Sequence, residues 1–284
     1  MRLAAHKGPP AAQRIMAVPA GAVPIEAELP PGTLLLDALA ALLDRHGVES
    51  AAFTLSGGGF GPFAYVMPAL SPDGSQVAFY SGTFRPEGLV LLQAAAVTVG
   101  FKDGAPFFHC HGVWTEAGGM GCGHVLPSET VVALPIKVRG AGIVGARFVV
   151  MSDAETGFSL FMPSATGTPP PAEARPALAL RLAPNQDLVG ALEQAGQEAG
   201  FRRALVHGGV ASINEARFTD APPLAGFATE LLVRRGLVRC APGQGLETAL
   251  FVTVVDHTGA IGAGRLVAGD NPVLMTFEGV LEGV

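Results

Sequence analysis

Three histidines, His109, His111 and His124, fall within sixteen residues of the stretch PFFHCHGVWTEAGGMGCGHVL. Imidazole is the commonest protein ligand for transition metals. Three neutral nitrogens leave a fourth coordination position for water or substrate, the pattern of an open centre rather than a closed structural one. The same residues could equally be hydrogen-bonded core histidines or an exposed polar face. Cys122 could close the site or simply neighbour it, and the second reading is preferred. Glu116, at the turn, is the nearest carboxylate for proton transfer or for holding a ligand.

These side chains converge only if the elements beneath them have the right parity. Residues 106–113 (PFFHCHGV) are apolar and aromatic without a helical period, so they read as a strand. On a strand, i and i+2 share a face, which turns His109 and His111 together and Cys110 away. The glycine-rich segment that follows reads as a turn, and HVL resumes a strand, so the whole is a hairpin. A two-residue loop at Ala117-Gly118 sets His111 opposite His124, with Cβ atoms about 5 Å apart. Moving that loop to Gly118-Gly119 keeps the parity. A three-residue loop would send His124 to the other face.

The whole chain narrows the class. It has 284 residues, 49% hydrophobic and only 15% charged, which suits an ordered globular protein and excludes disorder or a fibre. Its apolar stretches are shorter than a membrane span, and prolines interrupt the N-terminal region where a signal peptide needs its apolar run. A cytoplasmic protein without a membrane segment is expected. Three cysteines, 110, 122 and 240, make no disulfide framework, and Cys110 and Cys240 read as buried small hydrophobes. A net charge of −6 gives no drive toward a polyanion, so nucleic acid is not an expected partner.

One plan runs through the chain twice. PSATGTPPPAEARP (163–176) is rich in proline and small residues and reads as a linker. Before and after it come an amphipathic helix ending at glycine (Gly47, then Gly200), an apolar strand and a glycine turn. Later GCGHVLPSETVVAL is echoed by GAGRLVAGDNPVLM, with Arg265 where His124 stood, and Leu250 and Val252 where the other two histidines stood. The second copy therefore lacks the ligands. It is either a scaffold or a supplier of substrate-binding groups to the first site, and Arg265 is the candidate for holding an anionic group bidentately.

The SGGG turn at 56–59, HCH at 109–111 and GCGHV at 121–125 resemble the plants-and-prokaryotes-conserved (PPC) domain, whose pattern is His-x-His followed by Gly-Gly-His-Leu. Cys122 and Val125 are mild departures from it. The resemblance covers 25–162 and, by pattern rather than by histidines, 177–284, leaving 1–24 as an N-terminal extension. It implies an α+β fold of two tandem domains, each an antiparallel sheet packed against a helix, with a tendency to trimerise. It also implies zinc at His109, His111 and His124. Plant relatives couple the domain to AT-hooks, and no such motif occurs here.

Other motifs carry less. SGGGFGPF lacks a helix N-terminus after its glycines, so a strand-end turn is expected in place of a phosphate loop. His207 reads as hydrogen-bonded core, and no Gly-x-Ser-x-Gly elbow is present. The expectation is a zinc-binding protein, a metal-dependent enzyme or sensor acting on a small, anionic molecule. The alternatives are a DNA-binding regulator and a structural trimer whose zinc organises the hairpin.

Overall fold

The computed structural model describes residues 2–74, 76–241 and 245–284. In the first copy, Leu35–His46 is a helix (α1) because Leu35, Ala38, Leu39, Leu42 and Leu43 recur at helical spacing and are all buried. Gly47 closes it in the left-handed region, φ 60°, where a side chain would be strained. Its principal strands are β1 (Ile15–Leu29), β2 (Ser50–Ser56), β3 (Val90–Lys102), β4 (Ala105–Glu116), β5 (Gly119–Val125) and β6 (Ile136–Val144). A further hairpin follows, β7 (Ala146–Ser152) with β8 (Ser159–Ala165).

The second copy has β9 (Arg175–Leu182), α2 (Leu188–Glu198), β10 (Arg203–Ile213), β11 (Thr229–Ala241), β12 (Gly245–Asp256), β13 (Ile261–Arg265) and β14 (Val273–Gly283). Asp187 caps α2 by accepting the Gly190 N–H at 2.8 Å. Strand order is the same in both copies: β5-β4-β3-β2-β6-β1 and β13-β12-β11-β10-β14-β9, antiparallel throughout. The duplication read from the sequence is thus visible in the topology.

The two sheets are one. Ile15–Ala22 of β1 pairs antiparallel with β9, and Gly21–Leu29 of the same strand pairs with β6. Residues 15–24, taken from the sequence as part of an extension, are therefore the start of a strand shared by both copies. Pro19 and Pro24 lie within it, since proline's fixed φ is compatible with extended backbone at the loss of one donor. Residues 163–165 and 175–176, read as linker, are likewise strand ends. With two short helices against these strands, the fold is more sheet-dominated than α+β implies.

Each helix covers one face of its copy's strands, and the opposite faces meet. Phe53, Leu55, Phe108, Cys110 and Trp114 lie under α1, and Leu250, Val252 and Val254 belong to the core under α2. The facing surfaces are built of small residues, Ala22, Ala52, Ala141, Ala177 and Ala179 among them, so the copies approach closely. At Gly208, φ 61°, an added Cβ would stand 2.9 Å from the Ala52 Cβ. That position needs glycine for both its conformation and its space.

Candidate metal centre

Register and parity build the site. β4 and β5 are joined by the two-residue loop at Ala117-Gly118, with Glu116 opposite Gly119 and His111 opposite His124, as the spacing required. Phe108, Cys110 and Trp114 are drawn under α1, so the odd-numbered side chains His109 and His111 face the second copy. One ligand nitrogen from each of His109, His111 and His124 falls within 4.8 Å of the others. The nearest pair, His109 Nε2 and His111 Nε2, is 3.1 Å apart. A tetrahedral zinc with Zn–N of about 2.0–2.1 Å places its nitrogens roughly 3.3 Å from each other.

The second copy holds the Nδ1 side of the first two rings. The carbonyl oxygen of Leu231 on β11 lies 2.9 Å from His111 Nδ1 and can only accept, so that nitrogen carries the proton. The Glu278 carboxylate on β14 lies 2.5 Å from His109 Nδ1, and Thr276 donates to its other oxygen at 3.1 Å. The Nε2 atoms of both rings face each other across 3.1 Å, close to the spacing of two nitrogens on one tetrahedral ion; without an ion, a proton on either makes the contact a hydrogen bond. Burial, first of all, holds His111 well below the ordinary imidazole range. His124 is lowered in the same way, by burial first and then by His109 and His111. Both are neutral at pH 7, the form that ligates metal. The residues fit a transition metal, with a carbonyl and a carboxylate holding the far nitrogens of two of the rings.

A small cavity of about 50 Å³ adjoins the centre. Besides His109 and His111, its polar lining is Tyr80, Ser212, Glu230 and Thr276, and its walls include Phe79 and Phe158. The Tyr80 hydroxyl is 3.4 Å from His124 Nδ1. Glu230, on β11, is buried, and Oε1 lies 3.8 Å from His111 Nε2 while Oε2 has no partner. Burial pushes its carboxyl well above the usual carboxylate range. Among the described residues no lysine or arginine lines this cavity. An anionic molecule there would have only the metal as countercharge.

Several sequence-derived assignments change. Glu116 is on the far face of β4, where one carboxylate oxygen accepts from Trp114 Nε1 at 3.1 Å and the other lies 3.4 Å from the Tyr65 hydroxyl. An odd separation from His111 puts it there. Arg265 lies opposite Phe251, as His124 lies opposite His111, so Ala249 and Phe251 take the places read as Leu250 and Val252, which point under α2. Arg265 pairs with Glu247 at 2.8 Å and does not line the cavity. Cys122 shares the histidines' face but packs against Val113, Val210 and Leu232, and burial pushes its thiol up. Cys240 is exposed, near the end of the β11–β12 ladder where Ala241 pairs with Gly245. His207 binds the Glu282 carboxylate, in keeping with a hydrogen-bonded core role.

The sequence missed Glu230, Glu278 and the Leu231 carbonyl. Their signal was a lone acid inside an apolar strand, TELLV and MTFEGV, since a buried Glu is rare unless it is paired.

No protein-family model and no curated protein matches the chain. Solved structures to which it is similar include a plant- and prokaryote-conserved (PPC) protein of Pyrococcus horikoshii, 18% identical with a TM-score of 0.40, covering 53% of this chain and 97% of that one. A metal-containing protein of Archaeoglobus fulgidus is 17% identical with a TM-score of 0.41, covering 50% of this chain and 94% of that one. A protein of Ralstonia eutropha named as a candidate DNA binder is 20% identical with a TM-score of 0.37, covering 48% of this chain and 89% of that one. The PPC resemblance read from the sequence recurs among these structures, each spanning about half of the chain. No helix among the described residues is long and apolar enough to cross a membrane.

Proposed function

We propose that the chain holds a divalent transition metal at His109, His111 and His124, zinc by the chemistry of its donors, and uses it on a small molecule in the adjoining cavity. One observation carries this reading. Two Nε2 atoms lie 3.1 Å apart, the spacing of two ligands on one tetrahedral ion, while Leu231 and Glu278 hold the other nitrogen of each ring. When bound, such an ion polarises a carbonyl or lowers the pKa of water toward about 7. The protein's own groups divide the remaining work. Glu278 and the Leu231 carbonyl orient two imidazoles, and Tyr80, Ser212 and Thr276 offer hydrogen bonds to a bound molecule.

Elemental analysis of the purified chain tests the reading. One zinc per chain is expected, with loss in His111→Ala while the far-ultraviolet circular dichroism is kept. A chain that retains no metal after purification without chelator overturns it. The resemblance adds a cytoplasmic trimer to this proposal, and sedimentation checks the trimer. Duplex binding that falls steeply with salt would favour the regulatory alternative.

A further inference from the structure

We propose that a groove between the two copies is a second binding site, separate from the metal centre. It takes a small molecule with two or more neighbouring anionic groups, phosphates or carboxylates. The inference does not depend on the metal reading.

The groove has a volume of about 830 Å³, in the range of small-molecule sites. The first copy contributes Thr54 and Ser56 from β2 and Lys137 from β6, and the second contributes His207 from β10 and Arg234 and Arg235 from β11. None of its lining residues belongs to the cavity beside the histidines. Among the described residues, Lys137, Arg139, Arg234 and Arg235 line it against two carboxylates, Glu26 and Glu28, in a chain whose net charge is −6. Arg139 is already paired with Glu26. Glu28 stands opposite Lys137 in the β1–β6 ladder without closing an ion pair, and no described carboxylate lies within 4.0 Å of the Lys137, Arg234 or Arg235 cation. Positive charge gathered in a concavity without its own counter-ions raises the local concentration of anions.

The backbone places the two arginines deliberately. Adjacent residues of a regular strand point to opposite faces. Here β11 bulges: Val233 is opposite Val252 and Arg235 is opposite Phe251, so Arg234 is the extra residue. Arg234 donates to Thr253 Oγ1 at 3.4 Å, and the Arg235 guanidinium lies 4.7 Å from the centre of the Phe251 ring. Phe251 and Thr253 share one face of β12, the face of Leu232, which clusters with Ala94 and Val113 of the first copy. Both guanidiniums therefore stand on the groove side, each steadied by a neutral group that does not cancel its charge. The first copy has a bulge of the same kind in the matching strands, with Leu92 opposite Trp114, Ala94 opposite Val113 and Gln93 extra. Its pair is Gln93-Ala94. The bulge is common to both copies, and the two charges are what the second copy adds.

The donors name the ligand class. A guanidinium fork meets phosphate or carboxylate oxygens bidentately, and a lysine adds a point charge. Thr54 and Ser56 supply hydroxyl donors. Two adjacent guanidiniums on one copy with a lysine on the other suit a molecule carrying more than one anionic group.

The full chain is titrated calorimetrically with inorganic pyrophosphate and, separately, with citrate. Arg234→Gln and Arg235→Gln, at exposed positions, each weaken the tighter anion about tenfold, and Lys137→Gln weakens it about threefold or more. Arg45→Gln removes the same charge from the last turn of α1, outside the groove, and leaves binding within about twofold. Both anions also ligate zinc, so the titrations are repeated in His111→Ala, where binding stays within about threefold. Pyrophosphate binding tighter than citrate assigns a phosphorylated ligand, and the reverse assigns a polycarboxylate. Neither anion binding at millimolar concentration overturns the site. So do equal losses in Arg234→Gln and Arg45→Gln, or binding that disappears in His111→Ala. A short DNA duplex that outcompetes both anions, and weakens in the same arginine variants, would overturn the small-molecule class. A chain that retains no zinc overturns the metal reading and leaves this site standing.

Discussion

Glu278→Gln removes a charge from behind the metal without touching a ligand. The carboxylate accepts from His109 Nδ1 at 2.5 Å and is 1% exposed, so no water can take over the contact. Glutamine keeps the shape and an accepting oxygen but replaces a charge-assisted hydrogen bond, worth about 1.5–3 kcal/mol, with a neutral one worth about 0.5–1.5 kcal/mol. The difference of about 1–2 kcal/mol corresponds to roughly five- to thirtyfold in metal dissociation constant, overlapping the roughly 10–100-fold seen when a ligand's hydrogen-bond partner is lost. Chelator competition at pH 7.5 reads it directly, with the circular dichroism of the metal-free protein as the control for folding. Glu116→Gln is the matched comparison. It also replaces a part-buried hydrogen-bonded glutamate on β4, but on the face under α1, and leaves metal affinity unchanged. Glu278→Gln within twofold of wild type would refute the claim that the second copy tunes the centre, and equal losses in both variants would reduce it to general destabilisation.

The remaining expectations are simpler. Gly208→Ala forces a side chain into φ 61° and to 2.9 Å from Ala52, so stability falls by about 2–5 kcal/mol, seen as a lower denaturant midpoint. Glu282 is held below the usual carboxylate range by its hydrogen bond to His207 first and by Arg175 after that. Because the native pKa is depressed, its contribution is complete above the ordinary carboxylate range and is lost as pH falls through the lowered native value. Glu282→Gln flattens that part of the acid-unfolding profile. Arg265→Ala breaks the pair with Glu247 and leaves metal affinity as it was, measured by the same chelator competition.

The centre's first layer was legible because it is local. Parity along one hairpin needs only the period of a strand and a loop of even length, and His109, His111 and His124 obey both. Its outer layer was not legible. Glu230 and Glu278 reach the histidines from more than a hundred residues away, through a packing of the two copies' facing surfaces that alternation alone does not orient. Parity could have corrected Glu116, which is five residues from His111. Arg265 was set opposite the wrong neighbour because the two hairpins have different turns, and an alignment by glycines does not fix which face a strand presents. The start of β1 lay outside the stretch that carries the PPC resemblance, and its pairing with both copies is a property of the assembled sheet.

That shared strand has a consequence for how the centre responds to concentration. When two surfaces that complete a site belong to separate molecules, dilution below their dissociation constant empties it. Here the histidines and their carboxylates are tied through β1 and the connection at 166–174, so their encounter is intramolecular, with an effective concentration in the millimolar range for short linkers. Whatever larger assembly the chain forms, the pairing of His109 with Glu278 does not depend on finding a second chain.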